Sequence, residues 1–172
     1  MSKVEFQDFS FQVKAAINEA TTAWLQETAD TIASRAAETC QMDDTGRKLA
    51  GSYRADVNDG QGQARIGSPL ESAYWEEYGT GSYADQSKNG GKAGRAGWWV
   101  YVKDSETSST GGKTYATKEE AEMVAESMRA EGLDAYATNG RKPNYTLEKA
   151  FKSVKPKAIA RLNNMLKEAT EE

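Results

Sequence analysis

The residues best equipped for chemistry are Glu76 and Glu77, adjacent carboxylates set among Tyr74, Trp75 and Tyr78 and followed by Gly79-Thr80-Gly81. Paired carboxylates do general acid–base work when both reach one substrate from a shared face. Consecutive helical positions point about 100° apart, so this pair is a poor acid–base couple. The expected arrangement has Tyr74 and Tyr78 packing a short helix onto a hairpin, with Glu76 and Glu77 facing water. Trp75 is then the docking anchor, because tryptophan dominates interface hot spots. The chain has no histidine, and Cys40 is its single cysteine. A disulfide within the chain, a zinc cluster and a histidine-activated nucleophile are therefore all excluded. Cys40, following Ala36 and Ala37 in a helical pattern, reads as a small buried packing residue in a reducing cytoplasm. No catalytic residue, cofactor or metal site is expected, and the chain reads as a non-enzyme.

Two other motifs invite a ligand. Gly60-Gln61-Gly62 has the spacing of a phosphate loop but no following helix with Lys-Ser or Lys-Thr, so it reads as a turn. Trp98-Trp99 could stack bases. Successive strand residues point to opposite sides, however, so the two indoles cannot form one platform. One is expected in a local core and the other exposed or at an interface. Lys88, Lys92 and Arg95 make the neighbouring glycine-rich loop slightly basic, enough only for weak, salt-sensitive contact with DNA.

The elements that must position these residues follow from patterning. At 172 residues, with 38% apolar and 28% charged side chains and a net charge of -4, the chain fits one domain carrying an insertion. Its mean hydropathy of -0.78 implies wide hydrated surfaces. No apolar run approaches the ~18 residues needed to span a bilayer, and Met1-Ser2-Lys3-Val4-Glu5 lacks the apolar core of a secretory signal. One long helix is predicted from Asp8 to Cys40, its stripe passing through Val13, Ala16, Ile17, Ala20 and Trp24, then Leu25, Ala29, Ile32, Ala36 and Cys40. Asp43-Asp44-Thr45-Gly46 should turn the chain into a strand over Leu49 to Val57. Asn58-Asp59-Gly60-Gln61-Gly62 signals a hairpin returning through Gln63 to Gly67. A short helix over Ser72 to Tyr78 follows Pro69.

From Ser82 to Gly97 the composition becomes that of a flexible glycine-rich loop. Trp98 to Val102 then reads as a strand, and Asp104 to Gly112 as a polar loop. Thr114 to Ala116 reads as a short strand, and Thr117-Lys118-Glu119-Glu120 as a capping box. Ala121, Val124, Ala125 and Met128 form a helical stripe ended at Gly132, and Leu133 to Thr138 returns as a strand. The last helix opens near Asn144 or Thr146, with Leu147, Ala150, Phe151, Val154, Ala158, Leu162 and Leu166 on one face. Pro156 should kink it or split it in two.

The order of these features resembles the minor tail component, or tail-completion (head–tail connector, neck), family of long-tailed double-stranded DNA bacteriophages, to which the lambda gene product Z is related. The resemblance rests on the long first helix, Thr45-Gly46 with Leu49, the hairpin ending at Ile66-Gly67, and Tyr74, Glu77, Gly79 and Thr80. A looser match covers Pro143 to Ala150. It spans roughly residues 8–81 and 141–170, and departs between Ser82 and Arg141, where members carry only a short loop. It implies a core domain over 1–81 and 141–172, the loop over 82–97, and an inserted β-β-α-β module over 98–140. It also implies a non-catalytic virion protein of the tail or neck, made in the host cytoplasm and assembled as a ring of usually six copies. The partners implied are further copies, the tail tube or its terminator, and head-completion or connector proteins, with no membrane.

A closed ring needs two unlike surfaces. Residues 1–43 hold 3 basic and 7 acidic side chains, whereas residues 144–172 hold 6 basic and 4 acidic. Lys149, Lys152, Lys155, Lys157 and Arg161 thus oppose Glu19, Glu27, Asp30 and Glu38, and the terminal helices are expected to meet within or between subunits. The candidate interface residues are Trp75, Glu77, Gly79, Thr80, Lys149, Lys152, Lys155, Arg161, Glu27 and Asp30. The fold class is α+β: long N-terminal and C-terminal helices on a small antiparallel sheet, with an inserted β-β-α-β lobe. The alternative function is a nucleic-acid-binding adaptor that contacts DNA through the basic loop and the last helix.

Overall fold

The computed structural model describes residues 10–41, 49–89, 96–103 and 113–171. The turn expected at Asp43 to Gly46, the cations Lys92 and Arg95, and the loop from Asp104 to Gly112 lie outside them. The architecture is α+β, with long helices at both ends of the described chain and small antiparallel sheets. The described residues form two compact units.

The first unit holds α1 (Ser10–Thr39), strands β1 (Arg54–Asn58) and β2 (Gln63–Gly67), and the last helix from Leu147 on. Nothing in α1 breaks its 30 residues, for they include no glycine or proline. Ala29, Ile32, Ala33 and Ala36 form its buried stripe. The hairpin pairs Asn58 with Gln63 and Arg54 with Gly67, and its inward residues Ala55, Val57, Ala64 and Ile66 alternate with exposed ones as the pattern required. At the tip the Asn58 side chain accepts from the Gln61 amide, and Gly62 supplies the left-handed residue that ends the turn. Two strands alone are marginal. Here Tyr53 and Ile66 close a core with Ile32, Ala36, Leu147, Ala150 and Val154.

The second unit takes up the chain around Leu49 and the described residues from Pro69 to Thr146. Its elements are α2 (Glu71–Tyr78), a short α3 (Gln86–Asn89), β3 (Trp99–Val102), α4 (Lys118–Ala130) and β4 (Ala135–Thr138). β3 and β4 pair antiparallel, and α4 covers one face of this ribbon through Val100, Ala121, Ala125 and Ala135. The capping box forms in part: Thr117 Oγ1 accepts from the Glu120 amide, while the Glu120 carboxylate reaches past the cap to accept from the Ala116 amide. At the other end the Leu133 amide reaches the Met128 carbonyl across Gly132, closing a Schellman motif. α5 (Thr146–Glu171) completes the chain.

Several expectations are corrected. Leu49 is not in a strand: it is helical and fully buried, and the turn at Gly51 delays β1 to Arg54. The strand expected at Thr114 to Ala116 reduces to one bridge, between Tyr115 and Trp98. α5 runs unbroken through Pro156, which is exposed, and its ring removes one helix donor. Phe151 leaves the buried face of α5 and is 49% exposed. Cys40 falls just past the end of α1 and is half-buried rather than buried.

Candidate functional site

The acidic pair does not face water. Glu76 is fully buried and Glu77 nearly so. Gly79 bends the chain at the end of α2 with φ 72°, and this brings residues 76–82 against residues 139–146. Thr80 and Arg141 exchange backbone hydrogen bonds of 2.8 and 3.3 Å, and Ser82 donates to the Asn139 carbonyl at 2.9 Å. The amides of Asn144 and Tyr145 donate to the carbonyls of Glu76 and Glu77. A β-carbon on Gly79 would stand 2.5 Å from the Arg141 carbonyl oxygen, and one on Gly81 would collide with the Asn139 carbonyl and the Trp99 ring. Both glycines also have positive φ, so the Gly-Thr-Gly sequence is a requirement of close backbone approach.

Inside this clamp one oxygen of Glu76 gathers three donors. Oε1 accepts from the Gln41 amide at 2.8 Å, from Asn144 Nδ2 at 2.7 Å and from Thr146 Oγ1 at 3.2 Å. Arg141 Nη2 lies 3.0 Å from Oε2 but out of line for a hydrogen bond, so that oxygen is paired by charge alone. A buried carboxylate is tolerated only when neutralised and hydrogen-bonded, and Glu76 has both forms of support. The partners of the Glu76 carboxylate are all groups of the protein itself, so Glu76 acts as a structural staple. Burial rather than solvent takes both side chains.

Tyr145 occupies the left-handed region at φ 52°, an uncommon place for a bulky residue. Its hydroxyl donates to Asp85 at 2.8 Å, and Lys88 stands 4.7 Å above its ring. Hydrogen bonds from the Ser87 side chain and from Tyr145 hold the Asp85 carboxyl below its ordinary pKa. One of the three cations of the basic loop is therefore engaged by Tyr145. Tyr74 and Tyr78 meet edge to face at 5.0 Å, and Trp75 is half-buried.

Comparison with protein-family models, with curated proteins and with solved structures found no match.

The remaining candidate residues lie apart from the clamp. Arg161 Nε meets Glu27 Oε2 at 2.7 Å, and the Trp24 indole donates to the Ala158 carbonyl at 2.7 Å. The terminal helices thus meet within one chain, running in opposite directions, since Ile32 and Ala36 pack further along beside Ala150. Other charges are satisfied locally: Lys152 by Glu148, Asp30 by Gln26, and Glu38 by Arg35. Lys155 stands 5.8 Å over the Phe151 ring, and Lys149 is exposed. Trp98 packs into the core beneath α4, as one indole was expected to. Trp99 is not exposed: it is half-buried against Gly81.

A pair that patterning did not single out is Tyr101 and Tyr136, directly opposite on β3 and β4, exposed, and stacked with centroids 5.5 Å apart. A hydrogen bond to the Asp134 carboxylate, and its charge, raise the Tyr136 hydroxyl above the ordinary phenol pKa. The alternation of β3 and β4 contained this signal, which needed the register to become visible. No cluster of histidine, cysteine, aspartate or glutamate suited to a metal occurs among the described residues.

Proposed function

We propose that this protein is a structural, non-catalytic subunit of a phage virion, a ring-forming tail-completion or neck component that joins the tail tube to the connector. The observation that carries the reading is the pinning of residues 80–82 to residues 139–141 by backbone hydrogen bonds. The two stretches that carry the family resemblance are 60 residues apart in sequence and adjoin in space. The chain leaves this pair of stretches at residue 82 and returns to it at residue 139, as expected of a module grafted where relatives have a short loop, and Asp85, Lys88 and Trp99 pack back on Tyr145 and Gly81. The packing supports the same reading. Among the described residues, the largest fully buried side chains are Leu49, Val100, Glu76 and Thr146, and most of the other core positions are alanine. A core this sparing leaves stability to be completed by neighbours.

The test has two parts. Native mass spectrometry and negative-stain microscopy of the purified protein should show a closed ring, and antibody-gold labelling should place it at the neck of particles that encode it. A monomer at every concentration, absent from such particles, would overturn the proposal.

A further inference from the structure

Two exposed helical ridges in this chain are complementary. On α4, Glu119, Met123 and Glu126 follow one another at i, i+4 and i+7, with Met123 66% exposed. The neighbouring Glu120 also points outward, and the cations Lys118 and Arg129 fall on the other flank by helical geometry. Glu122 holds Arg129 at 2.7 Å and keeps it there. On α5, Phe151, Lys155 and Ile159 follow at i, i+4 and i+8, with Lys152 beside them. Phe151 is 49% and Ile159 47% exposed, and both lysines are exposed. Glu148 offsets Lys152 within α5, so Lys155, set between the two apolar side chains, is the principal cation of this ridge.

We infer that the α5 ridge of one copy docks on the α4 ridge of a second copy, with Met123 seated between Phe151 and Ile159 and Lys155 between Glu119 and Glu126. The spans agree: the seven-step rise from Glu119 to Glu126 covers about 10.5 Å and the eight-step rise from Phe151 to Ile159 about 12 Å. Charge selects this occupant. Two α5 ridges face to face would oppose lysines, and two α4 ridges would oppose glutamates, so neither ridge suits its own copy in a two-fold pairing. An unlike pair on one chain repeats head to tail and can close a ring. The inference rests on the ring reading above and names its contact. One ridge pair buries less than a stable interface requires, so closure of the ring must reinforce contacts that are individually weak and salt-sensitive.

The experiment uses the full chain with Cys40→Ser, in two preparations carrying Met123→Cys or Ile159→Cys. Mixed at low salt with a short bismaleimide, they should yield a crosslinked dimer containing one of each, while either alone should yield little. Lys155→Glu in the Ile159→Cys partner should lower the yield roughly tenfold, the factor given by about 1.4 kcal/mol. Glu119→Lys with Glu126→Lys in the other partner should restore it. The contact is refuted if the mixture crosslinks no better than pairs made with Gln63→Cys, an exposed hairpin position. A ring by native mass without this crosslink would refute the contact and leave the ring. The crosslink with no protein in virions would support the contact and refute the neck assignment.

Discussion

At the scale of single residues, the chain uses its most reactive-looking groups as fasteners. Removing the Glu76 carboxylate takes an acceptor from the Gln41 amide, Asn144 and Thr146, with Asn144 keeping only its bond to Thr146 Oγ1 among those named, and leaves Arg141 without this counter-charge. Glu76→Ala should therefore cost about 3–5 kcal/mol of stability, read by urea denaturation. Glu76→Gln, which restores an acceptor but no charge, should cost clearly less. Tyr136 offers a pH test. Its pKa is raised because the protonated hydroxyl binds Asp134, so the folded state favours the protonated form. That contribution is present below the ordinary phenol pKa and is lost as pH rises through the raised value. Absorbance titration should show one tyrosine ionising late, and Asp134→Asn should return it to the ordinary range. Asp85 runs the other way: its pKa is lowered, so its contribution is present above the usual carboxylate range and is lost as pH falls through the lowered value.

At the scale of elements, α5 carries an unhelpful residue where it matters least. Pro156 lies on an exposed face and removes one helix donor. Pro156→Ala should raise the midpoint of thermal unfolding, with a gain of up to about 3 kcal/mol, the helix-interior penalty of proline. The module between residues 82 and 139 gives a second test. Its core of Val100, Ala121, Ala125 and Ala135 is internal to it, and its ends are 2.9 Å apart at Ser82 and Asn139. Replacing 83–138 with a short Gly-Ser linker should leave α1, the hairpin and α5 folded, with circular dichroism retaining their helical signal. Loss of that signal would show that the first unit depends on the module.

For the whole molecule, the ring proposed above has the alanine-rich cores and the unlike ridges of α4 and α5 share stability between copies. Unfolding of a self-associating protein depends on its concentration. The midpoint of thermal unfolding should rise with protein concentration at low salt and lose that dependence as salt screens the ridges. A midpoint constant over a hundredfold dilution would contradict assembly.

Helices α1, α4 and α5, the hairpin at Asn58 to Gly62 and the Thr117 cap were legible in the residues, because periodicity and capping are local properties of the chain. The α+β class followed from them. Burial of Glu76, the seat of Trp99 on Gly81 and the outward turn of Phe151 were not legible, because each depends on a segment tens of residues away. A carboxylate beside an aromatic has the same local pattern whether it meets water or Asn144 and Arg141. Desolvation and charge pairing decide between those outcomes, and both are set only when distant stretches of backbone come together.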